Sequence, residues 1–547
     1  MRETLAILFL LFAALSLEAA EFRGRIIDAD TEQPLAARIY LQSESGEWLF
    51  VNSAETEGSA LPYREQWVPQ PDSVELHTTV SAHPFKIDLP AGNYSLTIER
   101  GKEYTPLQAE LTIGDKPVEK TYRLKRWIDL AARGWYSGET HVHRRIVELP
   151  NVMRAEDLNV AFPVTFWTVS GAKAPDQEPS PLRRQGPSPF GPREDRGTEP
   201  IYLDASHVIV PRNTEYEIFS LGQDRHVLGA IFLLNHRSKF TATAPPIAEI
   251  AKQAHAEGAL LDLDKHSWPW SMMLVPVAKV DLFELSNNSV WKTRFGFKRS
   301  QVPPAEWMNI EYESPEVFTE WGWLNFGWEV YYALLNCGFD LAPTAGTASG
   351  VHPVPLGYSR VYVRPGKQFN LSDWLAGLRD GKSFVTTGPM LFATVNGKHP
   401  GERFTFEKQS EQDFQLQIEA LGEKPISSVE ILVNGQVVES IVPKPDRTTS
   451  GAWRASFSSK VSLGDSGWIA VRSFEEQPDG RKRFAHTAPW YVAMANRPRT
   501  PRREQVEYFI DLMHAEIARN RPVLSQEALA EFEQALHIYQ KIRERTP

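Results

Sequence analysis

Apolar and polar positions alternate with a period of two in the first folded part of the chain, residues 21–126. The segments PFKIDLPAGNYSLTIERG and AELTIGDKPVEKTYRL show this alternation, and turn-forming residues separate the apolar runs. Such alternation predicts short strands with one buried face, and several of them in succession are typical of a β-sandwich. We therefore predict a β-sandwich over residues 21–126, with His77 at its surface.

Between residues 127 and 390 the pattern becomes one of helices alternating with short apolar strands. Residues 245–258 place apolar side chains on one helical face and end at Gly258, a residue suited to the position just after a helix. The segment ALLDLDKH follows as a buried strand, and a later helix ends at Gly338. This alternation predicts parallel βαβ units and a layered or barrel-shaped α/β domain.

Period-two alternation returns in residues 391–495, where Asn434 and Gly435 form the dipeptide most typical of a tight hairpin. We predict a second β-sandwich there. Residues 496–547 show two amphipathic helical patterns, the second starting at Ser525 as its N-cap. They form a short helical C-terminal tail.

Composition narrows the possible kinds of site. The 547 residues suffice for several domains, and 59 basic against 69 acidic residues give a net charge of −10. No overall field therefore attracts nucleic acid, which we exclude as a partner. The single cysteine, Cys337, excludes an intrachain disulfide and a cysteine-based zinc or iron–sulfur site. Any metal site must therefore use His, Asp and Glu.

The first twenty residues have the layout of a secretory signal peptide. Arg2 precedes an almost purely apolar run from Leu5 to Leu17, and the small residues Ala19 and Ala20 follow. The run is short for a membrane span, although an uncleaved anchor is the alternative. No later segment is long and apolar enough to cross a bilayer. We predict an exported protein, periplasmic or extracellular, without a membrane span in the mature chain.

Residues 171–206 interrupt the α/β pattern. Seven prolines and ten charged residues fall within positions 171–200. Such a composition predicts a long surface excursion, which either closes over a site as a lid or stays partly disordered.

Polar residues follow several of the predicted strands. His141 and His143 lie two residues apart in WYSGETHVHRR, so both rings leave an extended segment on the same face. His266, Glu284 and His352 follow or end later strands. The carboxyl ends of parallel strands form the site in α/β domains, and imidazole with a carboxylate suits zinc, iron and similar ions. Glu284 could orient a ligating imidazole.

The stretch GWYSGETHVH resembles the first motif of the PHP superfamily (polymerase and histidinol phosphatase), in which Gly-Asp-x-His-x-His opens a distorted β/α barrel. AGTASGVHPVPLGYSRVYV and GKSFVTTGPML extend the resemblance over residues 127–390, more narrowly to the CehA/McbA-like metallohydrolases of exported bacterial proteins. The N-terminal segment resembles carboxypeptidase regulatory-like domains. The resemblance implies a multidomain α/β plus β protein, with a PHP-like barrel flanked by two β-sandwiches.

The resemblance also implies a set of metal ligands. NTEYE at 213–217 matches the glutamate motif, with Glu215 the expected ligand and Glu217 a second candidate, only one of which we expect to face the site. The other positions that match family ligands are His141, His143, His226, His266 and His352.

Three departures from the family pattern reduce the expected number of ions. Glu139 replaces the aspartate of the opening motif, and Thr165-Phe166-Trp167 replaces Thr-Asp-His. The late aspartate is missing, with Ala348 nearby. We therefore expect one divalent ion, zinc, manganese or iron, rather than three.

The leading hypothesis is an exported metal-dependent hydrolase of a small-molecule or glycan-like substrate. A metal-activated water would attack an ester, amide, carbamate or phosphoester bond, with Glu139 or Glu217 as proton shuttle. The alternative is a catalytically reduced PHP-like protein that only binds its ligand, with a glycan as one candidate. A metal-free glycosidase with paired carboxylates is a third hypothesis, and it would keep its activity after chelation.

Overall fold

The computed structural model describes residues 19–67, 70, 73–177, 193–366, 368–444 and 446–546. The protein is a multidomain α/β plus β molecule, built mostly of strands in several sheets, with seven α-helices in these ranges. This confirms the prediction of a multidomain protein with α/β and β parts. The predicted signal segment, except its last two residues, and positions 178–192 of the predicted excursion lie outside the described residues. Among the described helices, none has the length and apolarity needed to span a membrane.

The described part of the N-terminal region contains strands and no helix. They are β1 (Ala20–Asp28), β2 (Ala37–Ser43), β3 (Trp48–Leu49), β4 (Asn52–Ser53), β5 (Ala60–Gln66), β6 (Val74–Val80), β7 (Phe85–Leu89), β8 (Gly92–Glu99), β9 (Leu107–Ile113) and β10 (Val118–Leu124). One sheet has the order β10-β1-β7-β4, and the other has the order β5-β6-β2-β8-β9 with β3 beside β2. Apolar residues of both sheets form one core, so the predicted sandwich is present.

The prediction that His77 lies at the surface of this sandwich is wrong. This residue is 2% exposed, and its ring packs between those of Tyr40 and Tyr63. Its Nδ1 lies 2.7 Å from Glu75 Oε1. Neighbouring protein covers the face of β6 that bears His77. The polar residues that alternate with apolar ones along β6 therefore belong to a buried polar network and not to a face exposed to solvent.

The central region contains both helices and strands, as predicted, but the two do not alternate regularly. Its strands are β11 (Tyr136–Val142), β12 (Val160–Pro163), β13 (Phe166–Ser170), β14 (Ile201–Tyr202), β15 (Val208–Ile209), β16 (Asn213–Leu221), β17 (Asp224–Leu234), β18 (Leu260–Leu263), β19 (Leu282–Ser286), β20 (Tyr312–Ser314), β21 (Val317–Phe318), β22 (Ala342–Ala345), β23 (Arg360–Val363) and β24 (Ser383–Thr386). Its helices are α1 (Leu149–Glu156), α2 (Ala248–Ala256), α3 (Ser271–Leu274), α4 (Glu320–Cys337) and α5 (Leu371–Arg379). Gly258 and Gly338 follow α2 and α4 with positive φ, as expected.

Six of these strands form one sheet in the order β13-β16-β17-β18-β19-β22. β13 runs parallel to β16, and β18, β19 and β22 run parallel to one another. The neighbours β16 and β17 are antiparallel, because the turn at Gly222 (φ +64°) joins them directly as a hairpin. β17 also runs antiparallel to β18, so the sheet is mixed rather than wholly parallel.

A twelve-stranded sheet connects the central region to the C-terminal β-rich region. The remaining strands are β25 (Met390–Val395), β26 (Arg403–Phe406), β27 (Gln412–Gly422), β28 (Ile426–Val433), β29 (Gln436–Ile441), β30 (Asp446–Arg447), β31 (Trp453–Leu463), β32 (Gly467–Glu476), β33 (Lys482–Thr487) and β34 (Trp490–Met494). The long sheet has the order β14-β15-β12-β11-β23-β24-β33-β32-β28-β29. β34 pairs with β32, and β26 pairs with β34.

The sheet β25-β27-β31-β30 faces the C-terminal part of this long sheet across a second core. This is the second sandwich, and its hairpin turn is the predicted one, with Asn434 at φ +51° and Gly435 at φ +84°. Because β24 pairs with β33, hydrogen bonds run without interruption from the α/β region into this sandwich.

The C-terminal tail forms helices α6 (Arg503–Asn520) and α7 (Gln526–Arg543). Ser525 caps α7 by accepting a hydrogen bond from the Ala528 N–H, as predicted. The Glu531 carboxylate accepts hydrogen bonds of 2.7–3.0 Å from the N–H groups of Ile247 and Ala248 at the start of α2. The tail is therefore fastened to the α/β region.

Candidate metal centre

Strand β11 places a histidine pair in the interior. All seven of its residues are buried, and His141 lies near its end with His143 just beyond it. Their Nε2 atoms are 3.2 Å apart. Two imidazole ligands of one tetrahedral zinc ion, each at about 2.0–2.1 Å, stand about 3.3 Å apart. The spacing of the pair therefore fits ligation of a single ion.

Strand β16 adds two carboxylates on one face. Glu215 Oε2 lies 3.4 Å from His143 Nε2. Glu217 approaches Glu215 closely enough for both to serve one ion. The expectation that only one of them faces the site is wrong, because residues i and i+2 of a strand lie on the same side. Among the described residues, neither oxygen of Glu215 has a hydrogen-bond partner although the residue is 1% exposed.

The neighbouring strands β18 and β19 add Asp264 and Glu284. His141 Nδ1 lies 3.1 Å from Glu284 Oε1 and 3.5 Å from Asp264 Oδ1. A carboxylate at the second ring nitrogen orients a ligating imidazole, which is the arrangement we expected for Glu284. Asp264 was not among the predicted site residues. Its position two residues after Asp262, at the end of a buried strand, was the signal that could have identified it.

The described residues form three overlapping sets of donor atoms, each with all atoms within 4.8 Å of one another. The sets are His141 with His143 and Glu215, His141 with Asp264 and Glu284, and Glu215 with Glu217 and Asp264. Buried His, Asp and Glu residues of this protein could therefore hold a metal ion.

The electrostatics of the cluster suit a divalent cation. Burial, reinforced by the charges of Glu217 and Asp264, raises the pKa of Glu215 well above its ordinary value. Burial raises the pKa of Glu217 to about 8. It also holds the pKa of His143 well below its ordinary value, so the imidazole is neutral and its lone pair is free to ligate. A bound cation would supply the charge that buried carboxylates lack.

Lys265 lies in the same cluster and was not predicted. It is 3% exposed, and its ammonium contacts Asp264 Oδ2. Burial alone would raise the pKa of Asp264, but the Lys265 ammonium lowers it below its usual range. Asp264 is therefore held as a carboxylate.

Glu139 lies outside all three donor sets of the described chain. Its carboxylate accepts hydrogen bonds from the Thr347 N–H at 2.7 Å, from the Thr347 hydroxyl and from the Gly357 N–H. Burial raises its pKa to about 8. These contacts correct the expectation of a proton shuttle, because both oxygens are occupied in fixing the loop that follows β22.

His266 also lies outside the donor sets of the described chain. Its ring packs against Trp323 and Phe326, with centroids at 5.2 and 5.0 Å, and burial lowers its pKa to about 3. Asp264, two residues earlier, lies at the donor cluster where we expected His266, because the chain turns after β18. The ring of His266 therefore belongs to the aromatic core beside α4.

His352 lies beside the cluster but is not in a donor set of the described residues. Its Nε2 is 3.1 Å from the Asn288 side-chain amide. Its ring lies over Trp67 of the N-terminal sandwich at a centroid distance of 4.1 Å. His352 thus forms part of the contact between the sandwich and the site, and its role as a ligand stays a prediction.

His226 is far from the donor sets. Its Nε2 lies 2.7 Å from Asn520 Oδ1 in α6. Glu215 pairs across the hairpin with Phe232, six residues beyond His226 on β17. At about 3.4 Å per residue, the hairpin places His226 roughly 20 Å along the strand from the level of Glu215. The expectation that His226 is a ligand is corrected by this register.

Comparisons with protein-family models, with curated proteins and with solved structures give no match to this chain. The buried donor cluster is therefore the feature of the molecule from which its function is inferred.

Proposed function

We propose that this protein is a metal-dependent hydrolase of the PHP-like class, with one divalent cation held by His141, His143 and Glu215. The observation that supports it best is the convergence of two neutral imidazoles and an unpartnered buried carboxylate within 4.8 Å. An unpaired buried carboxylate is costly, and metal ligation is one of the few ways to compensate it.

The residues around this set have separable tasks in the proposal. Glu284, at the Nδ1 side of His141, orients that ring and makes its Nε2 a stronger donor. A divalent cation bound there lowers the pKa of a bound water and polarises an ester, amide, carbamate or phosphoester centre. Glu217, beside Glu215, would accept the proton of the attacking water and return it to the leaving group.

A second candidate is a PHP-like protein that binds metal and ligand without turnover. The observation that favours it is Trp167, which stands where the family has a ligand histidine. Its ring packs on His143 at a centroid distance of 4.5 Å and is 5% exposed. A bulky ring at that position closes one side of the cluster.

Elemental analysis of protein purified without chelators tests the metal centre. We expect about one zinc, manganese or iron ion per chain in the wild type. The His141→Ala/His143→Ala double variant and Glu215→Gln should lose it. His226→Ala is the matched control, since this histidine lies outside the donor sets, and it should keep the ion. A wild-type protein that contains no metal and takes up none of the three added ions would overturn the proposal.

A panel of phosphoesters, carboxylic esters, amides and carbamates then separates the two candidates. The hydrolase predicts turnover that chelation abolishes and that the removed ion restores. A protein that retains its metal but hydrolyses none of the panel would support the binding-only candidate. Turnover that survives chelation would instead support a metal-free glycosidase-like mechanism.

Export also remains a proposal, and it rests on the leader-like residues 1–20. Expression in a bacterial host followed by cell fractionation tests it. We expect the protein in the periplasm or medium, with a new N-terminus near residue 21. Retention in the cytoplasm with the leader intact would contradict it.

A further inference from the structure

The three donor sets of the metal centre are not equivalent. Two of them include Asp264, and the third, His141 with His143 and Glu215, does not. Among the described residues, both donor sets that could place a second ion beside the first therefore include Asp264. The cation that is paired with Asp264 therefore decides how many metal ions the cluster can hold.

Lys265 forms an ion pair with Asp264. Its ammonium contacts Oδ2 of that carboxylate, and the charges of Glu217 and Glu284 act on it as well. The positive charge of Lys265 thus acts on the acidic members of both Asp264-containing sets. A divalent ion placed in either set would lie beside this ammonium and be repelled by it.

The position of Lys265 is held by its surroundings. The Ser271 hydroxyl donates a hydrogen bond to the backbone carbonyl of Lys265. The ammonium lies 5.2 Å from the ring centroid of Trp268, an attractive contact for a cation. The side chain is 3% exposed, so it is enclosed between the carboxylate and the indole. It has no solvated position to move to without leaving these contacts.

We infer that the Lys265 ammonium takes the place of a second divalent cation, so that the centre holds one ion at His141, His143 and Glu215. This inference rests on the proposed function, since it presupposes that the first ion binds. It makes Lys265 a residue that sets the number of ions, and Asp264 its partner rather than a ligand. It also accounts for a lysine directly following an aspartate in the interior of an acidic cluster.

Metal stoichiometry tests this inference without any substrate. Wild type, Lys265→Met and Lys265→Arg are purified without chelators and dialysed against Mn²⁺, and bound manganese is measured by elemental analysis. Methionine keeps the length and packing of the side chain and removes its charge, whereas arginine keeps the charge. We expect about one ion in the wild type and the arginine variant, and about two in the methionine variant.

The electron paramagnetic resonance spectrum gives a second readout. Two Mn²⁺ ions about 3.5–4 Å apart couple magnetically, and a single ion does not. The methionine variant should show the coupled signal and the wild type an isolated one. A methionine variant that still binds one ion would overturn the inference, and so would a wild type that binds two.

Should the methionine variant not fold, titration of the wild type decides alone. Saturation at one ion under a large excess of Mn²⁺ supports the inference, and filling of a second site contradicts it. A wild type that binds no ion is a different result, because it removes the proposed function itself.

Discussion

The Tyr63 hydroxyl donates a hydrogen bond of 2.7 Å to the backbone carbonyl of His352 and accepts one of 2.9 Å from the Gly350 N–H. Tyr63 belongs to β5 of the N-terminal sandwich and is 3% exposed. The glycine-rich loop beside the candidate metal centre is thus fastened to a domain that precedes it by nearly three hundred residues. The sandwich has a structural role at the site.

The first prediction concerns this fastening. Tyr63→Phe leaves the partly buried Gly350 N–H and the buried His352 carbonyl without their partner, so we expect a loss of about 1–3 kcal/mol in the free energy of unfolding. Urea denaturation measures it. Tyr202→Phe is the matched control, because Tyr202 is 59% exposed, and it should be neutral. Equal stability of the two variants would contradict the prediction.

The second prediction concerns the close approach of Gly346 to the donor cluster. A Cβ at Gly346 would overlap His141 Cβ and lie 2.5 Å from Glu284 Oε1. Gly346→Ala must therefore displace His141 or Glu284. We expect metal affinity to fall about tenfold or more, measured by competition with a chromogenic chelator. Gly114→Ala has no neighbour within 4 Å and should retain wild-type affinity, and a Gly346→Ala variant that does the same would refute the argument.

The third prediction distinguishes a loop-fixing role of Glu139 from a chemical one. In Glu139→Gln the amide NH₂ would face the N–H of Thr347 or Gly357, which both now donate to the carboxylate. We expect a loss of about 1–3 kcal/mol in stability with metal content unchanged. The exposed Glu110→Gln serves as control. Unchanged stability together with lost hydrolysis would restore Glu139 as a shuttle.

The fourth prediction concerns pH and the metal-free protein. Burial raises the folded-state pKa of Glu217 from 4.5 to about 8. Folding therefore takes up a proton between these values. The contribution of this group to stability is complete below about pH 4.5 and is lost as pH rises through about 8. Thermal melting of chelated protein should accordingly show a melting temperature that falls more across this interval in the wild type than in Glu217→Gln, which lacks this titrating group.

A divalent cation reverses this trend at the cluster, because it takes the place of the protons. The stabilisation by added metal should thus be larger near pH 8 than near pH 6, and protons should be released on binding. Isothermal titration calorimetry in two buffers of different ionisation enthalpy counts them. Glu139 has the same raised pKa but lies outside the donor sets, so its share of the trend should persist in the loaded protein. Metal binding that is independent of pH would contradict this prediction.

Local patterns were sufficient to predict much of the architecture. Alternation of period two predicted both sandwiches, and the glycines after α2 and α4 predicted where those helices end. The Asn434-Gly435 hairpin and the Ser525 cap are likewise confirmed. Each of these features is decided by interactions within a few residues, so the sequence alone contains the necessary information.

The composition of the candidate metal centre was only partly predictable. The pair His141 and His143 could be found because two positions on one strand share a face whatever surrounds them. Glu215 and Glu217 are also two positions apart on one strand. Applying the period of two correctly would have predicted that both face the same side. The sequence could not predict which residues of different strands come together.

Which strand ends meet is a property of the sheet, since strand order and direction are fixed by pairing between distant segments. The antiparallel hairpin of β16 and β17 takes His226 to the far end and joins it to α6. The parallel pair β18 and β19 brings Asp264 and Glu284 to His141 instead. Burial, which gives Lys265 and Glu215 their unusual electrostatics, likewise exists only once these sheets have closed over them.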